Sequence, residues 1–168
     1  MRTQFPYAII TVPGGRVIKR PNIEVVLSFN PARPNARNTP RIEMLIDTGA
    51  DSCMFAWSWA NWMGFDPQAV GKRDDVRGIG GNLTEAYVVH GIEMSVPDLE
   101  FKTQLDAHFL PMPKRICGVL GHKGFLDHLN IRFFKGQYFE VIDDRPAPVV
   151  QLGDASRQKN PPNSDTTR

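Results

Sequence analysis

The stretch Met44-Leu45-Ile46-Asp47-Thr48-Gly49-Ala50-Asp51-Ser52 decides how the rest of this chain is read. Just before it, Arg41-Ile42-Glu43 alternates polar and apolar residues, and the sequence then turns continuously apolar. That change fits a strand running from a sheet surface into a core. A carboxylate follows at once, with a small hydroxyl residue, glycine and alanine behind it. An isolated carboxylate beside Leu45 and Ile46 is costly unless hydrogen bonds compensate it. Thr48 can supply a hydroxyl, and Gly49 allows close backbone approach. Two readings stand side by side. Asp47 and Thr48 cap backbone donors in a turn, or the carboxylate is held for chemistry.

Outward from this stretch, strand signals dominate. Tyr7 to Val12 is rich in β-branched residues and reaches Pro13-Gly14-Gly15, so Arg16 to Lys19 is expected to return as a hairpin partner. Ile23 to Phe29 reads as a further strand, and Asn30 to Pro40, with three prolines and three asparagines, reads as a loop. Strands are expected again at Glu85–Val89, Ile92–Val96, Phe101–Leu105 and Ile116–Gly121, with a hairpin of Ile131–Phe134 and Gln137–Ile142 through Lys135-Gly136. One helix is expected over Ala56–Met63, ended by Gly64, with Trp59, Trp62 and Met63 as its apolar stripe. A second short helix is expected over Gly124–Leu129, and Lys72-Arg73-Asp74-Asp75 reads as a solvated turn.

Composition narrows the function classes. With 41% hydrophobic and 23% charged residues among 168, the chain is globular and long enough for one sizeable core. A formal net charge of +2 gives no electrostatic reason to expect nucleic acid or an anionic membrane as partner. Two cysteines cannot make a disulfide scaffold. His90, His108, His122 and His128 lack the spacing of a metal motif, so no metal or other cofactor is expected. Gly78-Ile79-Gly80-Gly81 fits neither phosphate-loop nor dinucleotide spacing. The N-terminus lacks the apolar run of a secretory signal, so a cytoplasmic setting is expected.

Asp47-Thr48-Gly49-Ala50 after an apolar strand resembles the active-site loop of the retropepsin-like aspartic proteases. Two further matches follow in order. Val76-Arg77-Gly78-Ile79-Gly80-Gly81 resembles their glycine-rich flap, and Val119-Leu120-Gly121 with Phe125-Leu126 and Leu129-Asn130-Ile131 resembles the segment bracing the catalytic loop. The resemblance implies an all-β, single-domain, closed-barrel acid protease fold with one or two short helices. The domain is expected over residues 23–145, after an N-terminal strand or hairpin extension over 1–22 and before a disordered tail over 146–168. Cys53 and Cys117 flank the loop and the bracing segment and are read as buried free thiols rather than an oxidative pair.

The chemistry implied by the resemblance needs two aspartates, and the chain has a single Asp-Thr-Gly. The site is therefore expected at the twofold axis of a homodimer, with Asp47 from each copy, Thr48 bonding across the axis and Gly49 shaping the loop. The two carboxylates would share a proton and activate water against a peptide bound as an extended strand. Ala50, Asp51 and the flap residues Gly78, Ile79, Gly80 and Gly81 would line the cleft. Ala50 lacks the hydroxyl some relatives use to stabilise the ionised pair, which would move activity toward weakly acidic or neutral pH. In retroviral members an arginine follows the glycine of the bracing segment and pairs with the aspartate after the loop; here His122 and Lys123 follow Gly121. That departure sustains a rival, a catalytically silent peptide-binding or dimerisation module.

Overall fold

A computed structural model of the chain describes residues 1–29, 37–78, 81–113 and 115–144. The tail over 146–168, most of the Asn30–Pro40 loop, and Ile79 and Gly80 lie outside the described residues. The β-branched and aromatic runs become strands. In chain order these are β1 (Arg2–Pro6), β2 (Ala8–Thr11), β3 (Val17–Arg20), β4 (Asn22–Phe29), β5 (Ile42–Ile46), β6 (Met54–Ala56) and β7 (Lys72–Arg73). They continue as β8 (Val76–Arg77), β9 (Leu83–Thr84), β10 (Tyr87–Val96), β11 (Phe101–Leu110), β12 (Gly118–Leu120), β13 (Asn130–Phe134) and β14 (Tyr138–Ile142).

Six strands close a barrel in the order β11, β6, β12, β5, β4, β10, with β10 returning to β11. Closure leaves no free edge in the ring, and alternate residues fill its interior. Val25 and Leu27 of β4, Met44 of β5, Phe55 of β6, Met94 of β10 and Phe109 of β11 are fully buried. Aromatic contacts run through this core, from Phe55 to Phe109 at 5.8 Å, Phe109 to Phe65 at 5.4 Å and Phe65 to Phe29 at 4.4 Å.

β12 is the strand that shapes the site. It lies between β5 and β6, parallel to the first and antiparallel to the second, so the chain leaving β5 must loop around it to reach β6. That loop is residues 47–53. On the other side, Gly91 at φ +75° makes a bulge where the β10–β11 register shifts between Val89 and Ile92. Beyond the bulge β10 pairs with β4; before it, Tyr87 and Val88 pair with β7 outside the barrel ring. The two strands expected at 85–89 and 92–96 are thus one bulged strand.

The helix α1 (Trp57–Met63) ends as the sequence suggests. Gly64 adopts φ 86°, its N–H reaches Asn61 O, and the Phe65 N–H reaches Ala60 O, the paired bonds of a left-handed cap. Three local expectations need correction. Trp62 is exposed and its Nε1 donates to Asn38 O, so the buried face is Ala60 and Met63 with Trp59 against the core. Gly124–Leu129 is a run of turns, because Gly124 sits at φ +95° and the Leu126 and Asp127 N–H groups reach five residues back. The second helix is a single turn elsewhere, α2 (Pro67–Val70), capped by Asp66. Lys72-Arg73 is strand β7 rather than part of a turn.

Outside the barrel, β1 pairs with β14, and β14 with β13, in a three-stranded sheet that joins the two ends of the described chain. Phe139 of β14 is fully buried, stacked on Phe5 at 5.3 Å and met edge-on by Tyr7. The β2–β3 hairpin stands apart with Ile9 and Val17 exposed. Phe139→Ala should therefore destabilise the chain by about 3–5 kcal/mol in denaturant titration. Ile9→Ala should change stability by no more than about 0.5 kcal/mol. Similar losses from both would mean that the hairpin packs in solution.

Candidate active site

β5 delivers Asp47 to the mouth of the barrel. Ile46 is buried and its N–H bonds Pro21 O at 2.9 Å, so the strand is pinned on one side up to its last residue. The Asp47 N–H then donates to Leu120 O of β12 at 3.1 Å. Asp47 Oδ1 accepts the Gly49 N–H at 2.9 Å, and the Ala50 N–H returns to Asp47 O at 3.2 Å. The local-capping reading of Asp47 is therefore realised at one oxygen. Among the described residues Oδ2 has no hydrogen-bond partner, and the Thr48 hydroxyl has none either. Asp47 is half-buried, Thr48 and Gly49 are exposed, and Ala50 turns inward.

The segment after β12 clamps this loop. His122 N–H bonds Ala50 O and Lys123 N–H bonds Asp51 O, each at 2.9 Å, and Ser52 bridges Lys123 in parallel. These bonds need the chain at Gly121 to pass against the loop's backbone. A Cβ there would stand 2.6 Å from Ala50 O and 2.7 Å from Ser52 C. His122 adds a side-chain bond, its Nε2–H donating to Thr48 O at 2.9 Å. Among the described residues neither His122 nor Lys123 forms an ion pair with Asp51. In place of an ion pair with Asp51, His122 gives the loop a hydrogen bond at Thr48 O.

Asp47 opens onto a cleft of about 950 Å³. Gly49, Ala50 and Asp51 line it from the loop, and Val76, Arg77 and Gly78 line it from the hairpin of β8 and β9. The described residues of this hairpin pair in steps. β7 pairs with β10, the Asp74 N–H bonds Ala86 O at 2.9 Å, β8 pairs with β9, and the Gly81 N–H closes the turn onto Gly78 O at 2.9 Å. An ion pair between Arg73 and Asp75, with Nε–Oδ1 at 2.9 Å, stiffens its base and holds the Asp75 carboxyl below its usual range.

One part of the cleft floor was not visible in the sequence. His108 on β11 contacts Ser52 Oγ through Nδ1 and Asp74 Oδ2 through Nε2, both at 3.0 Å. The partners lie 56 and 34 positions away in the chain, which no short spacing rule reaches. Cys53 and Cys117 are both free thiols. Burial pushes the Cys53 thiol up to about 12, and burial raises Cys117 as well. Among the described residues no group of three or more His, Cys, Asp or Glu side chains is arranged to hold a metal ion. None of the described helices is long and apolar enough to cross a membrane.

The aspartyl protease family model matches residues 35–123, more than half of the chain. Among solved structures, a retropepsin-like aspartic protease from Rickettsia conorii is similar, with 15% identity, 84% of this chain and 91% of that chain covered, and a TM-score of 0.48. The EIAV protease, solved in complex with the inhibitor HBY-793, is similar with 17% identity, 67% and 88% covered, and a TM-score of 0.43. No curated protein matches the chain. The all-β closed barrel expected from the sequence is the fold observed.

One substitution and one labelling experiment test the clamp. Gly121→Ala should cost about 3 kcal/mol of stability, because the obstructing atoms are backbone and cannot rotate away. An unchanged unfolding midpoint would contradict the close crossing. Alkylation of the native chain at about pH 8 should modify Cys117 and spare Cys53, read by mass spectrometry of the peptides. Rapid modification of Cys53 would mean that the loop opens locally.

Proposed function

The chain belongs to the aspartyl protease family, and from that premise we propose that it is an aspartic endopeptidase whose active site forms between two copies of the chain. Asp47 is the catalytic residue, one from each copy. The observation that carries this reading is the state of the Asp47 loop. Its carboxylate faces the cleft with Oδ1 spent on the Gly49 N–H, while the Thr48–Gly49 edge beside it is exposed. A second copy meeting that edge would supply the second carboxylate and give the Thr48 hydroxyl a partner across the axis.

Two carboxylates about 3 Å apart cannot both remain ionised, so the pair holds one proton. The ionised member takes a proton from a bound water, and the protonated member polarises the scissile carbonyl as the water adds. Protonation of the leaving nitrogen then completes hydrolysis, and the shared proton is restored. The substrate is an extended peptide laid along the cleft as an added strand. The 72–88 hairpin is the flap, and its closure would exclude water and strengthen each electrostatic contact below it. Gly78 and Gly81 support that role, since they turn the hairpin tip without side chains. Ile79 and Gly80, expected in the flap from the sequence, lie outside the described residues.

The test is cleavage of a mixed peptide library across about pH 3 to 8, the range in which a shared-proton pair titrates. The native chain should cut, and Asp47→Asn should lose activity by at least about a thousandfold. Activity should track the dimer in sedimentation. Ala50→Ser should move the profile toward acid, because a hydroxyl donor favours the ionised pair. An unmoved profile would rule out the role given to Ala50. Silence from a confirmed dimer would assign the chain to the rival class, a peptide-binding module without turnover.

A further inference from the structure

We propose that His108 is a positioning residue that ties the base of the 72–88 hairpin to the segment leaving the Asp47 loop, and that protonation tightens the tie. The inference rests on reading this hairpin as the flap. Its physical basis is the placement of one ring. The β6–β11–β10 registers set Met54, His108 and Val88 in a row, and all three line the cleft. His108 has 14% of its side chain exposed, so its polar atoms need partners within the protein. Both ring nitrogens have one. Nδ1 meets Ser52 and Nε2 meets Asp74, each at 3.0 Å.

The two partners belong to different parts of the cleft. Ser52 lies five residues beyond Asp47 and is bridged to Lys123. Asp74 is the first residue after β7, where the hairpin leaves the sheet, and its N–H bonds Ala86 across the hairpin. His108 is the only described side chain bonded to both.

The chemistry fixes the direction of each bond. An ionised Asp74 only accepts, so Nε2 carries the hydrogen. In the neutral ring Nδ1 accepts from the Ser52 hydroxyl. On protonation Nδ1–H donates to Ser52 Oγ instead, which frees the hydroxyl hydrogen for another acceptor in the cleft and sets a full positive charge against Asp74. The charged groups around the ring favour this pairing. Asp106, two residues back on the same strand, is engaged by His90 at 2.9 Å, and Asp75 is held by Arg73. Lys72 lies one strand further out, opposite Val88, while β6 and β10 offer only Met54 and Val88.

The experiment is amide hydrogen exchange of residues 74–86 in the full chain at about pH 5.5 and about pH 8, corrected for intrinsic rates. In the native chain protection should rise about threefold at the lower pH, the scale of a partly exposed ion pair. His108→Gln keeps an amide donor toward Asp74 and should hold the higher-pH protection without the gain. His108→Leu should lose protection at both. Asp74→Asn, at an exposed carboxylate that the fold does not require, should also abolish the gain. In peptide cleavage, His108→Gln should raise KM at the lower pH and leave kcat near the native value. Equal pH dependence of exchange in the native chain and in the Gln and Asn variants would overturn the proposal. If exchange follows the expected pattern while the native chain, confirmed as a dimer, cleaves no peptide, the tie stands and the endopeptidase reading falls.

Discussion

The crossing of two backbone segments at Gly121 is the constraint on which the candidate site depends. β12 enters the barrel between β5 and β6, and the chain leaving it passes against the carbonyls of Ala50 and Ser52. Only because no Cβ stands there can His122 and Lys123 give their N–H groups to the loop. The Asp47 loop is thus held from three directions, by β5 behind it, by Leu120 beside it and by the 122–123 pair beyond it. A loop so over-determined keeps its carboxylate in place before any substrate arrives, and such preorganisation is what electrostatic catalysis requires.

The anchoring is achieved with little formal charge. Where a buried ion pair would carry desolvation costs on both partners, this chain uses backbone bonds and one ring N–H directed at Thr48 O. Neutral hydrogen bonds are screened little by salt and hold their geometry over a wide pH range. Around the cleft, contacts between ionisable side chains occur instead on the hairpin and the floor, at Arg73–Asp75 and His108–Asp74. The division is physical. The Asp47 loop is held chiefly by backbone hydrogen bonds, and the base of the hairpin by contacts between ionisable side chains.

What the sequence disclosed follows the range of each interaction. The strand running into Asp47, the helix ended by Gly64 and the hairpins turning at Gly14-Gly15 and Lys135-Gly136 are governed by neighbours a few residues apart, and all were legible. Local composition misled where tertiary pairing overrode it. Lys72-Arg73 looks like a solvated turn until Tyr87 and Val88 are placed beside it. Gly124–Leu129 has helix formers, but Gly124 takes a left-handed conformation against Leu105 that ends any helix there. Arg2–Pro6 becomes a strand only because β14, more than 130 residues away, offers it an edge. The Ser52–His108–Asp74 chain was hidden for the same reason, since its members share no local signal.

Folding and assembly separate cleanly in this architecture. The barrel closes on its own strands, and the terminal sheet pairs β1 with β14 of the same chain, so the core is complete within one copy. At the Asp47 loop, what the described chain leaves open is polar and small: the Thr48–Gly49 edge and one oxygen of Asp47. An interface built on such a patch gains little from apolar burial and must draw on hydrogen bonds across the axis and on the bound peptide itself. In the proposed dimer, a strand lying in both halves of the cleft would add main-chain bonds to each copy. Substrate would then stabilise the assembly that cleaves it, through the same linkage by which any ligand favours the state that binds it.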